Sequence, residues 1–524
     1  MSDAQSYLVF VSWPTASGLL LFGFWSYVKA PLASWRWVQL GIGNGLVGLF
    51  FATLVFLGVE SWYRFALDRT DSFACTKGSL RWFERHYQLN TMGFRDDVEY
   101  YPRFQPSKRR IGFLGDSFVV GHGLANVEDR FANRVRRSHP EWDVMVWAFN
   151  GLDTGEEYSL LQRIAGEGWQ LDEVVLVYNL NDIGDLAPEW TDALKRFREE
   201  SKHENWLVRN SYFASAVAYR LRARRNPEMA DYYHFVLRAY QGPLWERQKK
   251  RLAAIQTLIQ SQGGQMLAAT FPFVHKPLEA SYEYRFVHER LAQFWRDRGV
   301  PHLDLLPVLQ GLPCAKLMVN STDAHPSALA NRLVAQAICA FLETNVAPRS
   351  ADAIAALGQC DQAARSTTPT EAIAHYEEAL RLNPKLPEAH NELGGLLFQQ
   401  RRAHEARLHF EKAVELRPAF AQACDSLAWV LATSPEAQER DGKRAVELAR
   451  RAEELTGGMN PMVVATLGAA YAEAGVFSEA IKATQSALEA AEKSNATAVT
   501  SRLRQRLALY QAGKPYRDEQ YAGP

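Results

Sequence analysis

Long apolar stretches mark the N-terminus of this chain of 524 residues. Residues 4–28 and residues 37–59 contain no charged residue, and each stretch reaches the ~20 residues that a membrane-spanning helix needs. We therefore predict two transmembrane helices within residues 1–60, followed by a connecting segment over residues 61–105. A cleaved signal peptide fits poorly, because no basic region precedes the apolar stretches.

Charged residues near the two stretches indicate how they cross the membrane. Lys29 and Arg36 lie in the short connection, whereas the N-terminal tail has no Lys or Arg, which favours a cytoplasmic turn with both ends outside. Arg64 and Arg69, after the second stretch, favour the opposite arrangement. On balance we place the rest of the chain outside the cytoplasm, on the periplasmic side of a bacterial inner membrane.

Residues 106–345 alternate between short apolar runs and amphipathic segments. The runs predict strands at 111–114, 143–149, 173–178, 265–271 and about 302–306, and the segments predict helices near 126–138, 155–167, 246–262, 282–298 and 328–343. Such alternation is typical of a doubly wound, three-layer α/β/α domain around a parallel sheet. Residues 184–240 form an insertion too long for an ordinary crossover. They predict a helical cap over the carboxyl edge of the sheet, or a packing embellishment.

Residues 350–515 have the spacing of a helical repeat. Pro384 and Pro418 are one period of about 34 residues apart. Small and apolar residues recur at matching positions, namely Leu393, Gly394, Ala406, Phe410, Ala413, Leu427, Ala428, Ala445, Ala452, Leu467, Gly468, Tyr471, Ala480 and Ala487. This pattern resembles tetratricopeptide (TPR) repeats, whose paired helices stack into an all-α solenoid with a concave surface. That surface binds a protein partner, or the array only stiffens the chain.

Composition narrows the chemistry of the chain. Its 59 Lys and Arg balance its 59 Asp and Glu, so nothing indicates nucleic acid as a partner. The five cysteines are scattered, with no Cys-x-x-Cys pair and no His-rich cluster. We therefore predict no metal, no cofactor and no disulfide framework.

Four short motifs in the central part close apolar runs or open helical ones. In chain order they are Gly115-Asp116-Ser117, the block from Asn150 to Gly155, the block from Asn179 to Asp182, and Asp323-Ala324-His325. Each motif alone is common in turns and helix caps. In this order, they resemble the SGNH (GDSL-type) hydrolase superfamily over roughly residues 88–345. An α/β-hydrolase fits less well, because its nucleophile follows several strands rather than the first.

The resemblance implies a serine hydrolase that acts on ester bonds. Ser117 is then the nucleophile, His325 the base, and Asp323 the acid that orients the imidazole. The backbone N–H groups of Ser117 and Gly155 and the side-chain amide of Asn181 are the expected oxyanion donors.

The resemblance also places His325 in the next-to-last βα turn. Asp323 stands one residue closer to His325 than is usual in the superfamily, which leaves a weakened or dyad-like site open. His122 and Asp182 flank these motifs and are predicted to be structural.

We therefore expect a membrane-anchored enzyme that hydrolyses or transfers an O-acyl group. The resemblance to the superfamily implies acetyl groups on an exported or cell-surface glycan as the substrate. A lipid ester or a thioester is the alternative, which an apolar pocket formed by residues 184–240 would favour. A third possibility is a non-catalytic scaffold for a polysaccharide-export assembly. This possibility would be favoured if Asp323 did not reach the site.

Overall fold

A computed structural model describes residues 2–27, 35–101, 108–167, 169, 171–202, 204–346, 349–458, 460–493 and 497–518. The protein is mostly helical and contains a parallel sheet. The connection between the two N-terminal stretches, including Lys29, lies outside the described residues.

Two apolar helices begin the chain, α1 (Asp3–Tyr27) and α2 (Arg36–Ser61), and a short π-helical turn (Trp62–Ala66) extends the second. The segments Asp3–Ser26 and Arg36–Ala66 are long and apolar enough to cross a membrane. The two helices pack against each other, and a hydrogen bond of 2.9 Å joins the hydroxyls of Ser17 and Thr53. The connecting segment that follows contains helix α3 (Lys77–His86).

Among the described residues, five parallel strands form the central sheet. They are β1 (Arg109–Gly115), β2 (Trp142–Ala148), β3 (Glu173–Asn179), β4 (Gln265–Phe271) and β5 (His302–Asp304), in the order β2-β1-β3-β4-β5. Nearly every residue of the first four strands is buried. Because successive side chains point to opposite faces, both faces of the sheet are covered. The last strand is shorter than predicted, because Leu306 already begins a helical turn.

Twelve helices accompany the sheet in the described residues. They are α4 (Ser117–Val120), α5 (Phe131–Ser138), α6 (Thr154–Gly166), α7 (Pro188–Lys202), α8 (Trp206–Asn210), α9 (Tyr212–Arg225), α10 (Pro227–Gln241), α11 (Pro243–Ser261), α12 (Arg285–Asp297), α13 (Leu306–Leu309), α14 (Cys314–Leu317) and α15 (Ala328–Asn345). The single helix predicted at 126–138 is instead a 3₁₀ turn (Val127–Asp129) followed by α5, because Arg130 between them is extended. The insertion at 184–240 is helical, as α7 to α10.

A buried ion pair at the end of the second apolar helix contacts this insertion. The Glu60 carboxylate accepts hydrogen bonds from the N–H groups of Tyr212 (3.1 Å) and Phe213 (3.0 Å), and so caps the start of α9. Arg64 donates to Glu60 (3.0 Å) and to the carbonyl of Asn210 (2.7 Å). The insertion is therefore anchored at the end of α2.

A two-stranded antiparallel hairpin lies outside the main sheet. It consists of β6 (Met318–Asn320) and β7 (Asp323–Pro326). The N–H of Thr322 donates to the Asn320 side chain at 2.8 Å, which stabilises the tight turn between the strands. Asp323 and His325 therefore lie on a strand of this hairpin, directly before α15, rather than in the turn of a βα unit of the main sheet.

In the part of the chain that the structure describes, nine helices follow the α/β part. They are α16 (Ala351–Arg365), α17 (Pro369–Leu382), α18 (Pro387–Gln399), α19 (Ala403–Leu416), α20 (Ala421–Thr433), α21 (Gly442–Leu455), α22 (Pro461–Glu473), α23 (Phe477–Lys493) and α24 (Thr497–Gln511). They stack as successive antiparallel pairs around buried alanines such as Ala406 and Ala445. The stack packs against the α/β part, where the Gln262 side chain donates to the carbonyl of Ala419 at 2.5 Å.

Candidate active site

Ser117 lies at the carboxyl end of β1, the edge where open α/β sheets bind their ligands. A Cβ at Gly115 would lie only 2.8 Å from the carbonyl oxygen of Val177 on β3, so only glycine lets the strand end here. The Asp116 carboxylate then accepts the N–H of Phe118 at 2.9 Å and caps α4. These two residues aim the Ser117 hydroxyl at the space beyond the sheet.

A hydrogen-bonded chain connects Ser117, His325 and Asp323. The Ser117 Oγ lies 2.8 Å from His325 Nε2, and His325 Nδ1 lies 2.5 Å from Asp323 Oδ1. Since the carboxylate only accepts, His325 carries a proton at Nδ1 and leaves Nε2 free to accept the serine proton. The geometry matches that of a nucleophile, a base and an orienting acid.

The short spacing between Asp323 and His325 suits the strand on which they lie. Residues i and i+2 of a β-strand point to the same face, so the side chains of Asp323 and His325 lie beside each other on one face of β7. The N–H of His325 also donates to Asp323 Oδ1 at 3.1 Å. Burial by itself would raise the pKa of Asp323, but the charge and hydrogen bond of His325 hold that pKa well below its usual range.

The connecting segment contributes to the site, which the sequence did not predict. The Thr70 hydroxyl donates to the second oxygen of Asp323, so both carboxylate oxygens are occupied. Gly123 permits this contact: its φ is +81°, and a Cβ there would lie 2.8 Å from Asp323 Oδ2. No local pattern points to Thr70, since it is far from Asp323 in the chain.

His122 also contacts the chain of hydrogen bonds, although the sequence analysis treats it as structural. Its ring stacks on His325, with centroids 4.1 Å apart and planes 19° apart. Its Nε2 lies 3.1 Å from the carbonyl oxygen of Asp71 and 3.6 Å from Asp323 Oδ2. Burial lowers the pKa of His122 to about 4. The ring is therefore neutral at pH 7 and does not repel a positively charged His325.

The expected oxyanion donors are only partly brought together. Ser117 and Asn181 line one cavity with His325, and the Ser117 N–H lies in the first turn of α4, where N–H groups have no partner within the helix. Gly155 is not among the residues that line this cavity, and its N–H donates to Asp153 Oδ1 at 2.8 Å. The resemblance assigned the N–H of Gly155 to the oxyanion, but in the structure this N–H is already bonded to the capping residue of α6. Asn150, which does line the cavity, is an amide closer to the site.

The cavity over Ser117 has a volume of about 540 Å³. Several parts of the chain contribute to its apolar wall: the connecting segment with α3, the block after β2, the insertion and the loop after β4. The apolar residues of the wall include Phe73, Leu80, Phe83, Leu152, Trp190, Leu194 and Phe273. Arg198 and Asp185 add charge at the same cavity. The insertion is thus part of the cavity wall through α7.

Among the described residues, the ligand atoms of His122, Asp323 and His325 lie within 4.8 Å of one another, close enough to hold a metal ion. Two of these residues are already joined to each other, and His122 contacts the Asp71 carbonyl. We assign this group to the hydrogen-bonded chain described above.

Three carboxyl groups are fully buried behind Ser117: those of Asp116, Glu157 and Asp182. Burial raises the pKa of all three, and their mutual repulsion raises the pKa of Glu157 and Asp182 further. Both carboxyl oxygens of Glu157 lack a hydrogen-bond partner in the described part of the chain. The cluster therefore retains protons that isolated carboxyl groups would lose.

We expect Glu157→Gln to stabilise the protein increasingly as pH rises. A group whose pKa is raised by folding contributes stability below its unfolded pKa and loses it at higher pH. The neutral amide avoids this loss, with an expected gain of about 0.5–2 kcal/mol at pH 8 and little at pH 4. Urea unfolding of the full chain in detergent measures the difference, with the exposed Glu279→Gln as control. An equal gain at both pH values would contradict the argument.

Comparison with known protein families identifies part of the helical array. The family model described as a TPR repeat matches residues 370–401, and the one described as a tetratricopeptide repeat matches residues 387–420. These segments cover α17 to α19 almost completely, so the prediction of TPR repeats is confirmed there. No curated protein matches the sequence. The C-terminal array is thus a module of the kind that binds proteins.

Proposed function

We propose that this protein is a membrane-anchored serine hydrolase of the SGNH type, which cleaves or transfers an O-acyl group. The single observation that carries the proposal is the Ser117 hydroxyl 2.8 Å from His325 Nε2, with Asp323 on the far side of the ring. Helices packed around a parallel sheet, with the serine at the carboxyl end of β1, support a three-layer α/β/α domain over residues 106–345.

In the proposed reaction, His325 takes the proton of Ser117 as its oxygen attacks the ester carbonyl. The Ser117 N–H and the Asn181 amide stabilise the negative charge of the tetrahedral intermediate. His325 then gives its proton to the departing alcohol, which leaves an acyl-enzyme on Ser117. Water or the hydroxyl of an acceptor attacks next, and the choice between them separates a hydrolase from a transferase.

The substrate has two candidate classes. An acetyl ester on an exported or cell-surface glycan follows from the resemblance alone. The cavity wall favours the second class, a lipid ester or thioester, because the insertion supplies Trp190 and Leu194 to it. An apolar acyl chain gains about 0.8 kcal/mol for each buried CH₂ group in such a cavity. Attachment of the insertion to α2 through Glu60 holds this wall near the membrane helices.

The remaining parts fit an envelope enzyme. The two apolar helices serve as a membrane anchor, and we place the catalytic part and the TPR array in the periplasm of a bacterium. The TPR array recruits a protein partner. The contact between Asp323 and His325, despite the short spacing, supports the hydrolase over the scaffold alternative.

Covalent labelling tests the proposal directly. A fluorophosphonate probe reacts with a serine only when a base activates its hydroxyl. We expect the full chain in detergent to be labelled once, on the peptide that contains Ser117, and heat-unfolded protein to remain unlabelled. Mass spectrometry of the digested protein locates the adduct. Labelling of other serines, or none on the folded protein, would contradict the proposal.

A further inference from the structure

The chain's last described segment, Lys514–Asp518, lies on the TPR array. Helix α24 ends where the N–H of Lys514 bonds to the Leu509 carbonyl at 2.9 Å, and the segment after it is neither helix nor strand. It then runs along α20 and α22. These are the first helices of their pairs, and they contact each other directly. Contact between first helices is expected on the inner, concave side of a curved stack.

Three consecutive residues of this segment make specific contacts. The Asp518 carboxylate accepts a hydrogen bond from Trp429 Nε1 at 2.8 Å, and its N–H donates to the Thr433 carbonyl at 3.0 Å, at the open end of α20. Arg517 forms an ion pair of 2.7 Å with Glu473 on α22. Asp518 is only 5 % exposed. This segment is therefore bound by side chains and backbone together.

An aromatic contact completes the interaction. The Tyr516 ring lies 6.0 Å from the Trp429 ring, centroid to centroid. The Arg506 guanidinium stacks on both rings, 4.4 Å from the Trp429 centroid and 4.9 Å from that of Tyr516. Stacked cations of this kind strengthen an aromatic contact. The array therefore contacts three consecutive residues of the segment, an aromatic, a basic and an acidic one.

We infer that this surface is a peptide-binding site for an extended segment of the type aromatic-basic-acidic, and that the chain's own C-terminal segment occupies it until a partner displaces it. The inference deepens the proposed partner-binding role of the TPR array. A tethered ligand has an effective concentration of about millimolar. The tail thus excludes weak or unrelated partners, and a partner binds only when its own segment fits Trp429 and Glu473 better.

A binding experiment with the tail sequence as the probe tests this inference. We use a fluorescein-labelled peptide of residues 510–524 and measure its polarisation with the full chain and with a chain ending at Gly513, both in detergent. The truncated chain should bind the peptide at least 10-fold more tightly than the full chain. A peptide with Asp518→Ala should bind the truncated chain at least 10-fold more weakly, because it cannot accept from Trp429.

Two further variants keep the test decisive. If the truncated chain unfolds, Asp518→Ala in the full chain replaces it and should bind the wild-type peptide several-fold more tightly than the unaltered chain. Trp429→Phe in the same background should remove this gain, since it keeps the ring but not the N–H. The inference is overturned if the peptide binds equally to the unaltered full chain and to the truncated or Asp518→Ala chain. It is also overturned if a folded truncated or Asp518→Ala chain does not bind the peptide. Ester hydrolysis is measured alongside and is unaffected by either result, so failure here leaves the catalytic proposal standing.

Discussion

Ser117→Ala is expected to lower kcat for the hydrolysis of p-nitrophenyl esters by about 10⁴- to 10⁶-fold. The alanine has no oxygen to attack the carbonyl, while the cavity and the Asn181 amide remain for substrate binding. KM should therefore change little. Stopped-flow or steady-state absorbance of nitrophenolate measures the effect on the full chain in detergent.

The control for this variant is Ser281→Ala, at an exposed serine away from the cavity, which should keep wild-type rates. A Ser117→Ala variant with more than a tenth of the wild-type rate would exclude Ser117 as the nucleophile. Acetyl, butyryl and octanoyl esters in the same assay separate the two substrate classes. Preference for octanoyl supports the apolar wall formed by Trp190 and Leu194, and preference for acetyl supports a glycan ester.

Asp323→Asn is expected to lower kcat by about 10³- to 10⁴-fold, because the asparagine amide no longer holds His325 in the tautomer that accepts the serine proton. Folding should be nearly unchanged, since Asn keeps the size of Asp. A loss of 10-fold or less would show that the site works as a Ser117–His325 dyad, the alternative that the short spacing left open. The pKa of Asp323 lies well below its usual range, so wild-type activity should not fall through protonation of this carboxyl above pH 5.

Thr70→Val is the matched variant for comparison with Asp323→Asn. It removes the hydrogen bond from Thr70 to Asp323 and leaves the contact between Asp323 and His325 intact. A hydrogen bond to a charged group is worth about 1.5–3 kcal/mol, so the expected loss in kcat is about 10- to 100-fold. An effect as large as that of Asp323→Asn would mean that Asp323 cannot orient His325 without the Thr70 hydroxyl.

The regular elements of the fold were predictable because they depend on local patterns. Buried parallel strands are continuous apolar runs bounded by polar residues, and the strand predicted at 265–271 has those bounds in the structure. Prediction from local patterns failed at two places, where the backbone changes direction within or beside a predicted element. The extended backbone of Arg130 divides one predicted helix, and the turn at Asn320 makes a hairpin where the resemblance implied a βα turn.

The candidate site was predictable only in part. The order of the motifs led to Ser117, Asp323, His325 and Asn181. The structure brings Ser117, His325 and Asn181 around one cavity, and Asp323 is hydrogen-bonded to His325. Gly155 belongs to the same motifs, yet its N–H serves the cap of α6. A motif identifies a residue type at a position, but not the direction in which each N–H group points.

By itself, the sequence determined the apolar N-terminal helices, the strands and helices of the central part, and the TPR repeats, since each depends on residues close together in the chain. Only the tertiary structure decided that Thr70 bonds to Asp323, that Glu60 caps α9 and that Asp518 lies against Trp429. The physical reason is that these partners are distant in sequence, and each pairing depends on burial and geometry that only the packed chain creates.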